Sequence, residues 1–141
     1  MTEGALTGRR VLLVEDEVLV AMLVESALED ENCVVVGPYG GVREALEAVR
    51  CGSLDLAVLD INLAGELVFP VAEELEARGV PFLLLSGYGR VALPSNRRHW
   101  PICAKPFNLR ELVAVLSGLV AGAAASPRIG GGSRSGSTRD G

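Results

Sequence analysis

The sequence predicts a doubly wound α/β domain: a five-stranded parallel sheet with helices on both faces. Three observations carry this. Short apolar runs recur and each stops at polar residues: Val11-Leu12-Leu13-Val14 before Glu15-Asp16-Glu17, Leu56-Ala57-Val58-Leu59 before Asp60, Phe82-Leu83-Leu84-Leu85 before Ser86-Gly87, and Ile102-Cys103-Ala104 before Lys105-Pro106. Runs that are apolar at consecutive positions, rather than alternating, suit strands buried on both faces. Between the runs lie segments with apolar residues at helical spacing, so strands and helices alternate and the crossovers are right-handed. At 141 residues and 49% hydrophobic content, the chain suits one domain with its own core.

Taken in order, the strand at residues 11–14 leads to a helix with Val18, Leu19, Met22, Leu23, Ser26 and Ala27 on one face and Glu25, Glu29 and Asp30 elsewhere. This helix fades at Glu31-Asn32. Residues 33–36 form a second strand, closed by Gly37-Pro38. Val42, Ala45, Leu46 and Val49 mark a second helix, which Gly52 ends. The strand ending at Asp60 is followed by a loop over residues 61–66. A third helix then has Pro70 in its first turn, Val71, Ala72 and Leu75 inward, and Gly79 as a stop. Strand four covers residues 80–85. Gly87, Gly89 and Pro94 leave at most a turn or two of a fourth helix, over residues 89–98. Strand five covers residues 101–104, with Trp100 expected over its start and His99 in an exposed loop without a partner. Asn108 caps the last helix, and Glu111 completes a capping-box pattern. Its buried face is Leu109, Leu112, Val113, Leu116, Leu119 and Val120. Residues 1–8 read as an N-terminal extension, 9–122 as the domain, and 123–141 as a flexible tail rich in Gly, Ser and Arg.

Composition excludes several functions. A net charge of −5 argues against a general affinity for nucleic acid, which needs a basic face. No apolar run is long enough to cross a bilayer, and the N-terminus lacks a signal peptide. A cytoplasmic location is expected. Cys33, Cys51 and Cys103 lie far apart with no metal-ligand spacing, and read as small buried hydrophobes in a reducing compartment.

Parallel strands deliver their last residues to one edge, where open α/β sheets place their ligands. That convergence gathers Glu15, Asp16, Asp60, Ser86 and Lys105. At about 4 Å, two like charges repel by about 4 kcal/mol at a surface-like dielectric, so a cation must relieve the acids. An oxygen-only ligand set favours Mg²⁺, which takes one or two carboxylates, keeps waters and accepts a phosphate oxygen. Lys105 supplies a compact charge on the other side. An aspartate held there can act as a nucleophile and form an acyl phosphate. Each piece also has a plainer reading. Acids before a helix can cap it, an aspartate or a Ser-Gly can simply end a strand, and Lys-Pro alone means little. Only their joint placement is specific.

Over residues 9–120, Val14-Glu15-Asp16-Glu17, Leu59-Asp60-Ile61-Asn62, Ser86-Gly87 and Lys105-Pro106-Phe107 resemble the receiver domain of bacterial two-component response regulators. The resemblance implies a flavodoxin-like sheet of order 2-1-3-4-5 and a cis peptide at Lys105-Pro106. It implies that Asp60 accepts a phosphoryl group and that Asp16 binds Mg²⁺ directly. Glu15 acts through water, and Asn62 gives its backbone carbonyl to the metal. Ser86 and Lys105 contact the phosphoryl group. The donor implied is a histidine kinase or a histidine phosphotransfer protein, with a downstream protein target possible.

Two departures stand out. The switch position three residues before Lys105, commonly aromatic, is Ile102. Ser86-Gly87-Tyr88-Gly89 looks like a receiver subgroup with Gly-Tyr-Gly after strand four, and Tyr88 is expected to replace the missing aromatic. With no DNA-binding unit expected after Val120, the reading is a stand-alone phosphorylation-switched binding module, a relay intermediate or a phosphate sink, and not an enzyme proper. Three alternatives remain. An aspartyl-phosphate phosphohydrolase wants an acid where Asn62 stands. A flavin carrier would find Glu15-Asp16-Glu17 repulsive to its phosphate. A constitutive binding module would not need the full set of acids, hydroxyl and amine.

Overall fold

The computed structural model describes residues 4–88 and 92–125. Strand β1 (Arg10–Val14), helix α1 (Val18–Asp30), β2 (Val34–Tyr39), α2 (Val42–Cys51) and β3 (Leu56–Asp60) follow one another. A small hairpin of β4 (Asn62–Leu63) and β5 (Glu66–Leu67) precedes α3 (Phe69–Ala77). Then come β6 (Phe82–Ser86), a 3₁₀ turn at Ser95–Arg97, β7 (Ile102–Ala104) and α4 (Leu109–Ala125). The main sheet is parallel, in the order β2-β1-β3-β6-β7. Setting the hairpin aside, this is the predicted 2-1-3-4-5. β3 and β6 are buried along their whole length, as their unbroken apolar runs require. One core layer lies under α2 and α3, the other under α1 and α4.

Several local signals act as read. Pro70 sits in the first turn of α3. Asn108 Oδ1 accepts the Glu111 N–H at 2.7 Å. α3 ends in a Schellman arrangement: Gly79 has φ +72°, Val80 N–H donates to the Leu75 carbonyl and Gly79 N–H to that of Glu76.

Other expectations need correction. α1 buries Ala21, Val24 and Leu28, while Val18, Leu19, Met22 and Leu23 are exposed. The helix is apolar nearly all round at its start, so spacing alone did not select the inner face. β2 runs through Gly37-Pro38 to Tyr39 instead of closing there. It is an edge strand, and its register against β1 shifts between Leu12 and Val14, which accommodates a proline that donates no hydrogen bond. Gly52 follows α2 in extended backbone, not as a left-handed cap. Of the fourth-helix region, residues 89–91 lie outside the described residues, and the described remainder includes the 3₁₀ turn but no α-helix. Cys51 is exposed. α4 continues past residue 122 to Ala125, through an alanine-rich run of high helix propensity. The tail expected beyond it lies outside the described residues.

Candidate functional site

Parallel register carries the chemistry to one rim. Val14 pairs with Leu59, Asp60 with Leu85 and Ser86 with Ala104. Glu15, Asp60, Ser86 and Lys105 therefore leave their strands at nearly the same level. The Lys105 N–H donates to the Ser86 carbonyl at 2.7 Å, fixing the β7 exit against β6.

Lys105 Nζ lies 3.4 Å from Asp60 Oδ1 and 3.7 Å from both Glu15 Oε1 and Glu17 Oε1. Glu15, Asp60 and Ser86 are all buried. One carboxylate oxygen from each of Glu15, Asp16 and Asp60 lies within 4.8 Å of the other two. Glu15 Oε2 accepts the Glu17 N–H, but its other oxygen, Oε1, is buried without a hydrogen-bond partner. Desolvation pushes the Glu15 pKa up to about 7; the Glu17 N–H opposes this and the Asp60 charge adds to it. Burial likewise raises Asp60, with Lys105 pulling the other way. For Lys105, burial works against the charged form, but Asp60 and Glu15 outweigh it and hold the pKa above the ordinary lysine value. Buried acids in excess of one amine, one with an oxygen that accepts no hydrogen bond, form a hard-oxygen set that fits a small divalent cation such as Mg²⁺.

An open cavity of about 410 Å³ faces this rim, lined by Asp16, Glu17, Asp60, Asn62, Gly65 and Lys105 among others. Asn62 Oδ1 accepts the Gly65 N–H at 2.8 Å. Ala64 and Gly65, at φ +53° and +93°, make the tight turn of the β4–β5 hairpin. Ser86 Oγ accepts the Tyr88 N–H at 2.9 Å, and the Tyr88 ring stands in solvent at 79% exposure. Ile102 is partly buried against the α2–α3 core and pairs with Leu84. Lys105-Pro106 is cis.

The structure brings together Glu15, Asp16, Asp60 and Lys105 as the sequence suggested. Glu17 was not singled out, although it pairs with Lys105 and lines the cavity; its only signal is its place as third acid of the run. One loop expectation changes as well. His99 is exposed but has a partner, with Nε2 lying 3.2 Å from Glu76 Oε2. Trp100 packs on Phe69 of α3 and Phe82 at the start of β6, in the core cluster against which Ile102 at the start of β7 also packs.

Comparison with known proteins agrees with this fold. A profile of the response regulator receiver domain matches residues 11–117. The transcriptional regulatory protein TcrA of Mycobacterium tuberculosis is 37% identical over 123 residues, covering 82% of this chain and 47% of that protein. PdtaR of the same species is 28% identical over 116 residues, covering 79% of this chain and 57% of that protein. The chain thus spans about half the length of these curated relatives. SdrG from Sphingomonas melonis Fr1, solved in solution, is 39% identical with a TM-score of 0.69, over 86% of this chain and 99% of that one. The BeF3-activated conformation of SdrG is 36% identical with a TM-score of 0.67, over 85% and 99%.

Proposed function

We propose, from the premise that this chain belongs to the response regulator receiver domain family, that Asp60 is a phosphoacceptor whose modification switches a protein–protein contact. The observation that carries the reading is Lys105 Nζ at 3.4 Å from Asp60 Oδ1, beside an acid cluster with a buried oxygen that accepts no hydrogen bond. In the proposed transfer an Asp60 oxygen attacks the phosphorus of a phosphohistidine. The new P–O bond forms as the P–N bond breaks, and the imidazole nitrogen keeps the electron pair. A histidine kinase or a histidine phosphotransfer protein is the donor.

When bound, Mg²⁺ would neutralise charge on the phosphoryl oxygens; Asp16, Asp60 and the Asn62 backbone carbonyl would hold it directly, and Glu15 through water. Lys105 neutralises the same oxygens from the opposite side. The Ser86 hydroxyl donates to the phosphoryl group and moves the Tyr88 backbone that it now holds. Tyr88 then stands in for the aromatic that Ile102 lacks, presenting a changed surface to a downstream protein. The likeness to a receiver solved in a BeF3-activated conformation supports a switch of this kind. A phosphohydrolase is disfavoured, because the residue two after Asp60 is Asn62, whose side-chain oxygen is committed to Gly65.

The test is intact mass after incubation with Mg²⁺ and phosphoramidate. The wild type gains one phosphoryl group and Asp60→Asn gains none; an unmodified wild type refutes the proposal.

A further inference from the structure

A second polar cluster lies away from the phosphoacceptor rim, where the chain between β6 and β7 meets the end of α3. Glu76 Oε2 accepts the Trp100 Nε1–H at 3.0 Å and lies 3.2 Å from His99 Nε2. The Trp100 ring is 1% exposed, packed edge-on against Phe82 at 5.4 Å and tilted against Phe69 at 6.1 Å. The Arg97 guanidinium sits 5.3 Å over the same ring, and its Nη2 reaches Glu73 at 3.9 Å. Backbone bonds extend the fastening: Arg97 N–H to the Pro94 carbonyl and Trp100 N–H to the Arg97 carbonyl. Leu93, at 3% exposure, inserts into the α2–α3 core. Immediately after Trp100, the Pro101 carbonyl accepts the Leu84 N–H and β7 begins.

The contrast with the other end of this connection is sharp. Tyr88 is 79% exposed, and its N–H is held by the Ser86 hydroxyl, the group a phosphoryl oxygen would recruit. One end is therefore built to change, and the other is fastened by the Glu76 carboxylate and Phe69 of α3, by Phe82 of β6 and by a buried leucine.

We propose that the Glu76–Trp100–His99 clasp is a fixed stop that keeps the phosphorylation-driven change at Ser86 and Tyr88 from reaching β7. It thereby shields β7, the short edge strand that delivers Lys105 to Asp60. β7 needs such a stop, since it spans only Ile102–Ala104 and is nowhere fully buried. Glu76 is a positioning residue in this scheme, acting on Lys105 only through Trp100 and the strand. The proposal rests on the phosphoacceptor reading of Asp60.

The experiment is ¹⁵N NMR of the full chain with Mg²⁺, before and after beryllofluoride, in the wild type and in Glu76→Ala. In the wild type the Tyr88 amide shifts while the Trp100 indole N–H stays within its linewidth. In Glu76→Ala both move. Trp100→Phe keeps a ring on Phe82 but has no N–H to donate; there the response spreads to the Ile102 amide, which is still in the wild type. Glu76→Gln retains an acceptor oxygen and restores the wild-type pattern. An indole signal that moves with Tyr88 in the wild type overturns the clasp, as does a response that stays confined in both Glu76→Ala and Trp100→Phe. If neither Tyr88 nor Trp100 responds in the wild type, the phosphoacceptor reading fails first and the clasp falls with it.

Discussion

Lys105 Nζ stands 3.4 Å from Asp60 Oδ1, although the two residues come from strands that are not neighbours in the sheet. β6 lies between them, so the Lys105 side chain reaches across the strand that ends in Ser86. That reach explains why one amine can touch Asp60, Glu15 and Glu17 together.

Replacing this amine tests its part in the transfer. Lys105→Ala leaves the Asp60 and Glu15 carboxylates without their cation, and loses one preorganised contact to the phosphoryl oxygens. Phosphorylation of Asp60 by phosphoramidate should slow by roughly a hundredfold, the scale of removing one such electrostatic contact. Single-turnover mass kinetics at saturating Mg²⁺ would measure it; an unchanged rate would remove Lys105 from the chemistry.

Glu15 gives the site a pH dependence. Its pKa is raised to about 7 in the metal-free protein, chiefly by burial. The folded chain therefore keeps a proton that the unfolded chain releases near the ordinary glutamate value. This group's contribution to stability falls as pH rises from about 4.5 to about 7 and is level above that. Because Mg²⁺ competes with that proton, its affinity should increase as pH rises through about 7, with proton release on binding. Calorimetry in two buffers of different ionisation enthalpy checks this, and a pH-independent affinity would contradict it.

The two faces of α1 should respond differently to truncation. Leu28 is fully buried on the inner face of α1, so Leu28→Ala should cost about 3 kcal/mol. Leu19 is 75% exposed, and Leu19→Ala should stay within about 0.5 kcal/mol. Urea unfolding of both variants decides it; a larger loss for Leu19→Ala than for Leu28→Ala would mean that α1 packs as its sequence first suggested.

Gly37 carries a backbone requirement. Its φ is +112°, and a Cβ there would stand 2.7 Å from the Leu13 carbonyl oxygen. Gly37→Ala should destabilise the fold by about 1–3 kcal/mol, since both the dihedral and the close approach exclude a side chain. Gly65→Ala meets nothing within 4 Å although its φ is also positive, so only the dihedral cost should remain. The comparison separates the two effects by thermal melting.

How far the sequence could be read follows from the range of each interaction. β1, β3 and β6 were legible because a strand buried on both faces must be apolar at every position, and their polar exits marked the rim. Asp60, Ser86 and Lys105 followed from topology alone. The inner face of α1 was not legible, since Val18, Leu19, Met22 and Leu23 are as apolar as the buried Ala21, Val24 and Leu28. Glu76 could not be matched to Trp100, because nothing local links residues 24 positions apart. Gly37-Pro38 read as a strand end, whereas an edge position with a shifted register tolerates both residues.

Borohydride reduces an acyl phosphate on aspartate to homoserine and so records where the phosphoryl group sat. Treating the Mg²⁺-loaded protein with phosphoramidate, then borohydride, and mapping its peptides should place homoserine at position 60 and nowhere else. Homoserine at another aspartate, or none at all, would contradict the account.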